Sequence, residues 1–381
     1  MRVALVHDWL VAMRGGEKCL EVFCELFPDA ELYTLVYAAE KVSPTIRRMK
    51  VRTSWVDGLP MAKRHFRYLL PFFPVAIEAF ELRDYDLLLS SSHCVAKGIF
   101  PHRALHFAYI HAPMRYVWDM HDAYFSTGGS LTRAAMSVCR PYLQRWDVNS
   151  AGRVDYFMAN SRNVAAKISQ LYTKPATVIY PPVDSEKFSI RHKQEPYYLV
   201  VSALVPYKRI DLAVEAFNKL NLPLKIAGDG PLRKSLERAA GRNIEFLGWV
   251  DDAGLAELYG ACQALIFPGE EDFGIVPLEA QASGRPVIGY GKGGLLETVI
   301  PFDACGGAPD RETGPTGILF PQQTAESLIT AVELFERARD AFDPAKIRRH
   351  AAGFSRERFK AQVKDFVETR LDEWRGRAAG K

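Results

Sequence analysis

Glu271-Asp272-Phe273-Gly274-Ile275-Val276-Pro277-Leu278-Glu279 sets two carboxylates around a glycine turn, with seven residues between them. The apolar run Ala264-Leu265-Ile266-Phe267-Pro268 leads into this segment, and the helix-like run Leu278-Glu279-Ala280-Gln281-Ala282 leaves it. The order is therefore strand, loop, helix, with Glu271 on the loop and Glu279 in the first turns of the helix. Two acceptor-only groups beside the backbone N–H donors of a helix start suit a polyhydroxylated ligand that carries phosphate. A sugar nucleotide is such a ligand. An acidic loop before a helix that favours Glu for dipole reasons would give the same letters. Both readings stand on this stretch alone.

Outward from it, short β-rich runs alternate with helix-length segments, which is the pattern of a parallel α/β fold. Predicted strands occupy residues 3–7, 87–90, 106–110 and 156–159 in the first half, and 198–202, 224–227, 244–247, 264–267 and 286–289 in the second. Predicted helices occupy 18–26, 210–219, 231–239, 252–261, 278–282, 326–338 and 355–374. The stretch Val178-Ile179-Tyr180-Pro181-Pro182-Val183-Asp184 reads as a crossing between domains. A chain of 381 residues exceeds what one core usually supports. Two domains are expected, residues 1–182 and 183–354, with a helix at about 355–375 packing back on the first. Two open sheets facing one another would hold a ligand at the carboxyl ends of their strands.

Composition narrows the function classes. Hydrophobic residues make up 48% and charged residues 25%, ordinary for a globular domain. The net charge of +4 is mild and the basic residues are scattered, so nucleic acid is not an expected partner. The six cysteines show no C-x-x-C pairing and sit mostly in apolar contexts, which reads as buried thiols in a reducing cytosol. No run of about 18 apolar residues is present to span a bilayer. The expected location is cytoplasmic, or peripheral on the inner face of the cell membrane.

Several constellations carry candidate chemistry. Gly15-Gly16-Glu17 precedes a helix and lets the backbone approach a bulky anion, although a simple turn explains it equally well. The dinucleotide fingerprint G-x-G-x-x-G is absent after the first strand, which argues against a nicotinamide oxidoreductase. Pro206-Tyr207-Lys208-Arg209 follows a predicted strand, and its adjacent cations are positioned to neutralise a diphosphate. Gly228-Asp229-Gly230-Pro231 mainly shapes a turn. Among His102, His106, His111 and His121 the spacing fits no metal-ligand pattern, so no metal is expected. His111, just beyond a strand end, is the single site candidate of the four. Lys63-Arg64-His65-Phe66-Arg67-Tyr68 joins the apolar run from Leu69 to Pro74, a composition suited to an anionic bilayer surface. Arg133, Arg140 and Arg145, interleaved with Leu131, Met136 and Trp146, form a second such stretch or an ordinary packed helix.

Taken in order, the G-D-G-P turn, Phe246-Leu247-Gly248, the E-x7-E pair and Gly293-Gly294-Leu295-Leu296-Glu297 resemble the retaining glycosyltransferases of family 4. That family has the GT-B fold, two facing Rossmann-like domains with a cleft between them. The resemblance covers essentially the whole chain. It implies that Glu279 binds nucleotide ribose hydroxyls, that Glu271 binds the donor hexose, and that the N–H groups of Phe273, Gly274 and Ile275 reach donor hydroxyls or phosphate. It further implies that Lys208 binds the diphosphate, that His111 lies near the transferred sugar, and that the Gly15–Gly16 loop faces diphosphate and acceptor. The chain departs from the family pattern at Ala203, where an arginine is usual, and Arg209 is the candidate to replace it. Asp272 also replaces a frequent glycine. Ser91-Ser92-His93 and the run from His111 to Asp119 look like the mannosyltransferases of O-antigen and exopolysaccharide assembly. The implied donor is GDP-mannose, the implied acceptor a polyprenyl-diphosphate-linked glycan, and no cofactor or metal is implied. A donor such as UDP-glucose, or an idle sugar-nucleotide-binding scaffold, fits the same residues.

Overall fold

A computed structural model describes residues 1–118, 130–191, 193–303 and 314–379. The chain divides into two compact units, one made of residues 1–182 and 356–381, the other of residues 183–355.

The first unit is built on a seven-stranded sheet in the order β3-β2-β1-β4-β5-β6-β7. Its strands are β1 (Val3–His7), β2 (Glu31–Thr34), β3 (Lys50–Thr53), β4 (Leu87–Ser92), β5 (Leu105–Ile110), β6 (Tyr156–Ala159) and β7 (Ala176–Val178). Every pairing is parallel. Parallel strands need helical crossovers on both faces, which explains why β4 and β5 are buried along their full length. The helix Gly15–Leu26 follows β1, and the helix Arg162–Tyr172 is capped by Ser161, whose hydroxyl accepts from the Val164 N–H at 3.0 Å. The helix Arg356–Ala379 belongs to this unit. Phe359 packs against Phe23 and Tyr109, with ring centroids 5.8 and 5.5 Å apart, and Arg356 reaches Glu25 at 2.6 Å. Beside the sheet, the buried Lys97 ammonium lies 2.9 Å from Asp147 Oδ1 and donates to the Ser150 hydroxyl. Asp147 Oδ2 accepts from Trp118 Nε1 and Tyr172 OH, so this buried ion pair is embedded in hydrogen bonds, as low dielectric demands.

The second unit is a six-stranded parallel sheet in the order β10-β9-β8-β11-β12-β13. Its strands are β8 (Tyr198–Val201), β9 (Leu224–Ala227), β10 (Ile244–Gly248), β11 (Leu265–Phe267), β12 (Val287–Tyr290) and β13 (Gly317–Phe320). The helices Ile210–Leu220 and Ala325–Arg337 cover one face around Tyr198, Phe217 and Phe335. The unit's first and last residues meet: Val183 N–H donates to Phe354 O at 2.9 Å, and Val183 bridges Ser355.

Each sheet has one place where strand order reverses, between β1 and β4 in the first unit and between β8 and β11 in the second. Loops that leave neighbouring strands in opposite directions open a crevice at such a point. The four strands absent from the sequence reading (β2, β3, β7 and β13) are three or four residues long, and β3 is largely exposed. The helix after the glycine turn begins at Ile275 rather than residue 278. Pro277 occupies its first turn, where a missing N–H costs nothing. Gly15 and Gly16 are the opening residues of a helix and not a loop before it. Among the described residues no helix is long and apolar enough to cross a membrane.

Candidate functional site

In the second unit Lys208 ends a short turn after β8, and Glu271 lies on the loop after β11. These loops flank the strand-order reversal, and the two side chains meet there: Lys208 Nζ is ion-paired with Glu271 Oε1. Both remain partly exposed, at 20% and 16%. The Glu271 loop is held by backbone contact with the Gly293–Gly294 turn. Glu271 bridges Gly293, and the Gly294 N–H donates to Glu271 O at 2.8 Å. A Cβ on Gly294 would run into the Phe273 backbone, so only glycine permits this approach. The G-D-G-P turn does the same beside β8: Gly228 has φ +129°, and a Cβ there would meet the Ser202 carbonyl.

Glu279 sits in the second turn of the helix Ile275–Ala282, buried, and its Oε2 accepts from the Tyr259 hydroxyl at 3.1 Å. Burial, reinforced by the Glu279 carboxylate, pushes the Tyr259 phenol well above its ordinary range, so it stays a donor. Phe273 is buried, Gly274 takes a left-handed φ of +95°, and Ile275 opens the helix, so the chain turns from Glu271 into a helix start within four residues. Arg209 is not brought into that pair. It adopts φ +52° at the start of the helix Ile210–Leu220, and its guanidinium forks onto Asp211, Nε to Oδ1 at 3.1 Å and Nη2 to Oδ2 at 3.0 Å. Ala203 is exposed beyond the end of β8.

In the first unit the strand-order reversal gathers histidines. His7 ends β1, His93 follows β4 and His111 follows β5. Their ring centroids lie 5.8 to 6.5 Å apart. Ser91 links two of them, its Oγ 3.0 Å from His7 Nδ1 and 2.8 Å from His111 Nε2. Burial holds the His111 imidazole well below its usual range, and the neighbouring His93 and His7 act in the same direction. Gly16 abuts this cluster: a Cβ there would lie 3.5 Å from His111 Nε2. The Asp8 carboxylate accepts backbone N–H groups of His93, Cys94, Val95 and Ala96 at 2.6–3.0 Å. It also lies 3.1 Å from His93 Nδ1, and since a carboxylate only accepts, it fixes the proton on that nitrogen. Burial lowers the His93 imidazole against the opposing pull of Asp8.

The sequence reading missed His7, Asp8, Ser91, His93 and Tyr259 as members of these sites. The His7-Asp8 pair at the end of a predicted strand was a usable signal, whereas nothing near Tyr259 marks it as the partner of Glu279. His106 is buried within β5, its Nδ1–H donating to Arg153 O and its Nε2 accepting from Ser90, and His102 lies in a turn at φ +52°. Asp119, His121 and Cys305 lie outside the described residues, as do the side chains of Leu131, Arg133 and Met136. Arg140 donates to Val117 O and Trp146 to Glu78, so these two members of the second basic stretch are packed. In the first stretch Phe66, Leu70 and Phe73 are buried, while Tyr68 and Phe72 are 70% and 54% exposed beside Lys63, Arg64 and Arg67. Among the described residues no group of three or more His, Cys, Asp or Glu could hold a metal ion.

Residues 15–187 match the Glycosyltransferase Family 4 domain family, and residues 183–352 match the Glycosyl transferases group 1 family. The chain is 32% identical over 153 residues to an uncharacterized glycosyltransferase of Methanocaldococcus jannaschii, covering 38% of this chain. It is 28% identical over 153 residues to the O-antigen chain mannosyltransferase C of Escherichia coli, covering 35% of this chain. The matched stretch spans 43% and 41% of those relatives' own lengths, less than half of each. In fold the chain is similar to Anabaena HepE, solved in complex with UDP, with TM-score 0.69 and 18% identity over 97% of this chain and 100% of that one.

Proposed function

Because the chain belongs to the family 4 glycosyltransferases of GT-B fold, we propose that it moves a hexose from a nucleotide sugar onto a glycan acceptor. The donor in this reading is GDP-mannose, and the acceptor is a polyprenyl-diphosphate-linked glycan of cell-surface polysaccharide assembly. The observation that carries it is the meeting of Lys208 and Glu271 where the strand order of the second sheet reverses. A cation and a carboxylate side by side at such a point match the two ends of an activated sugar, a diphosphate and a polyol.

In the mechanism we propose, Lys208 stabilises the charge that grows on the leaving diphosphate. A preorganised donor of this kind contributes roughly 3–4 kcal/mol. Glu271 accepts from hexose hydroxyls, and Glu279, with Tyr259 donating to its other side, accepts from the ribose. The first-turn N–H groups around Phe273, Gly274 and Ile275 face phosphate or hydroxyl oxygens, as helix starts do. Arg209 joins Lys208 only by leaving Asp211. His111, neutral at working pH, orients the hexose beside the Gly15–Gly16 helix start. Transfer proceeds with retention, the departing phosphate oxygen taking the acceptor's proton on the same face. The patch around Tyr68, Phe72, Lys63, Arg64 and Arg67 favours an anionic membrane surface, where a lipid-linked acceptor resides.

Calorimetric titration with GDP, UDP, dTDP and ADP tests the reading, followed by product analysis with the matching nucleotide sugar. Tightest binding of GDP and mannosyl transfer are expected. Tightest binding of UDP would favour the second reading, a UDP-glucose transferase, to which the UDP complex of the Anabaena protein lends support. Binding without transfer or donor hydrolysis would leave a scaffold.

A further inference from the structure

The ring of His7 is fully buried, and its Nδ1, the Ser91 hydroxyl and His111 Nε2 form a continuous chain of 3.0 and 2.8 Å contacts. One hydroxyl carries one proton and two lone pairs, so Ser91 donates to at most one of the two rings. Ser91 donates to His7 and accepts from His111, or the order is reversed, or both rings donate to its oxygen. The far side of His7 decides between them. Its Nε2 is buried with no hydrogen-bond partner among the described residues, and it faces Glu17 Oε1 at 3.9 Å. Glu17 Oε2 accepts the Arg14 N–H at 3.0 Å. Burial alone would raise the Glu17 carboxyl, but the facing imidazole outweighs it and leaves the group below its ordinary range. Glu17 is therefore a carboxylate, and a carboxylate opposite an imidazole edge favours an N–H there over a lone pair. With a single ring proton, placed on Nε2 toward Glu17, His7 keeps its lone pair on Nδ1. Ser91 must then donate to His7 and accept from His111.

We infer that Glu17, His7 and Ser91 are positioning residues that hold His111 as the Nε2–H tautomer, so that its Nδ1 lone pair is the one offered to a saccharide hydroxyl. The saccharide clause rests on the proposed function, and the tautomer does not. The other groups facing His111 leave this direction intact. The His93 Nδ1 proton is committed to Asp8, the Tyr109 hydroxyl donates to Ile179 O at 2.8 Å, and Gly16 presents only backbone. His93 and Tyr109 meet the His111 ring edge-on, with centroids 6.4 and 5.1 Å away.

Histidine-selective 15N correlation spectroscopy of the full chain reads the protonation of each ring nitrogen directly. Near pH 7.5 both His111 and His7 are expected to be protonated on Nε2 and bare on Nδ1. A His111 bare on Nε2, with His7 carrying protons on both nitrogens, would overturn the inference. Ser91→Ala removes the relay while subtracting a single buried oxygen. Mixed His111 tautomers are expected in that variant, with Ser91→Thr restoring the single form. An unchanged His111 spectrum in Ser91→Ala would also overturn it. Where GDP-mannose or UDP-glucose hydrolysis is measurable, Ser91→Ala should lower kcat about tenfold, the scale of loss when a histidine's outer partner is removed, with little change in donor KM. The spectra need no substrate, so they decide the tautomer whether or not any donor turns over.

Discussion

Lys208 and Glu271 neutralise each other in this structure, and that pairing shapes what each does when a ligand arrives. In the proposed mechanism a diphosphate would compete with Glu271 for the ammonium, and a hexose hydroxyl with Lys208 for the carboxylate. Glu271→Ala is expected to cut turnover at least ~100-fold, as loss of a preorganised transition-state partner does, with an unchanged circular dichroism spectrum. Near-wild-type transfer would remove Glu271 from the mechanism. Arg209 gives a sharper test because its fork onto Asp211 holds it in place. If Arg209 serves the diphosphate, Arg209→Ala should weaken nucleotide-diphosphate binding in calorimetry, and Asp211→Asn should strengthen it by releasing the guanidinium. Equal affinities across the three proteins would assign the missing family arginine's role elsewhere. At this scale the spacing of Glu271 and Glu279 and the strand-end position of Lys208 were legible before any coordinates. The Ser91 link between His7 and His111 was not, because its partners lie 84 and 20 residues away and only the sheet brings them together.

The elements explain why the site residues hold their places. The loop after β11 is fixed by backbone lying on backbone at Gly294, a contact that no side chain can enter. Gly294→Ala should therefore destabilise the second unit by about 1–3 kcal/mol, the usual cost of overpacking. It should also weaken donor binding, because Glu271 and Phe273 shift with the loop. Denaturant unfolding and calorimetry on one preparation check both, and wild-type stability in Gly294→Ala would contradict the assigned contact. Short apolar runs such as Leu87-Leu88-Leu89 and Leu265-Ile266-Phe267 announce buried parallel strands, so β1, β4, β5, β6 and β8 to β12 are readable. The strand Lys50-Val51-Arg52-Thr53 was not, since an edge strand with exposed sides carries no hydrophobic signal. The helix start at Ile275 was hidden for another reason: Pro277 reads as a breaker unless it is known to lie in a first turn.

At the scale of the molecule, acid stability follows from histidines that the fold keeps neutral. Burial pushes the His106 imidazole down to about 4, while its two nitrogens already serve Arg153 O and Ser90. A folded value below the ordinary 6.5 contributes stability that is present above about pH 6.5 and lost as pH falls toward 4. For this one group the loss amounts to about 3 kcal/mol. Denaturant midpoints should drop between pH 7 and pH 4.5, and His106→Gln should flatten that dependence. His93 and His111 act with the same sign, so some slope should persist in the variant. The exposed aromatic patch carries a second expectation. The pair Tyr68→Ser and Phe72→Ser should reduce sedimentation with anionic phospholipid vesicles at low salt while leaving nucleotide affinity intact. Equal sedimentation would remove this patch as a membrane-binding surface.

The tie between Val183 and residues 354–355 gives the second unit the character of a cassette. The polypeptide enters and leaves it through a single doorway, so a short graft from Pro182 to Arg356 can excise it without spanning a gap. If this unit binds the sugar nucleotide as proposed, swapping that one insert between relatives should carry the donor preference with it.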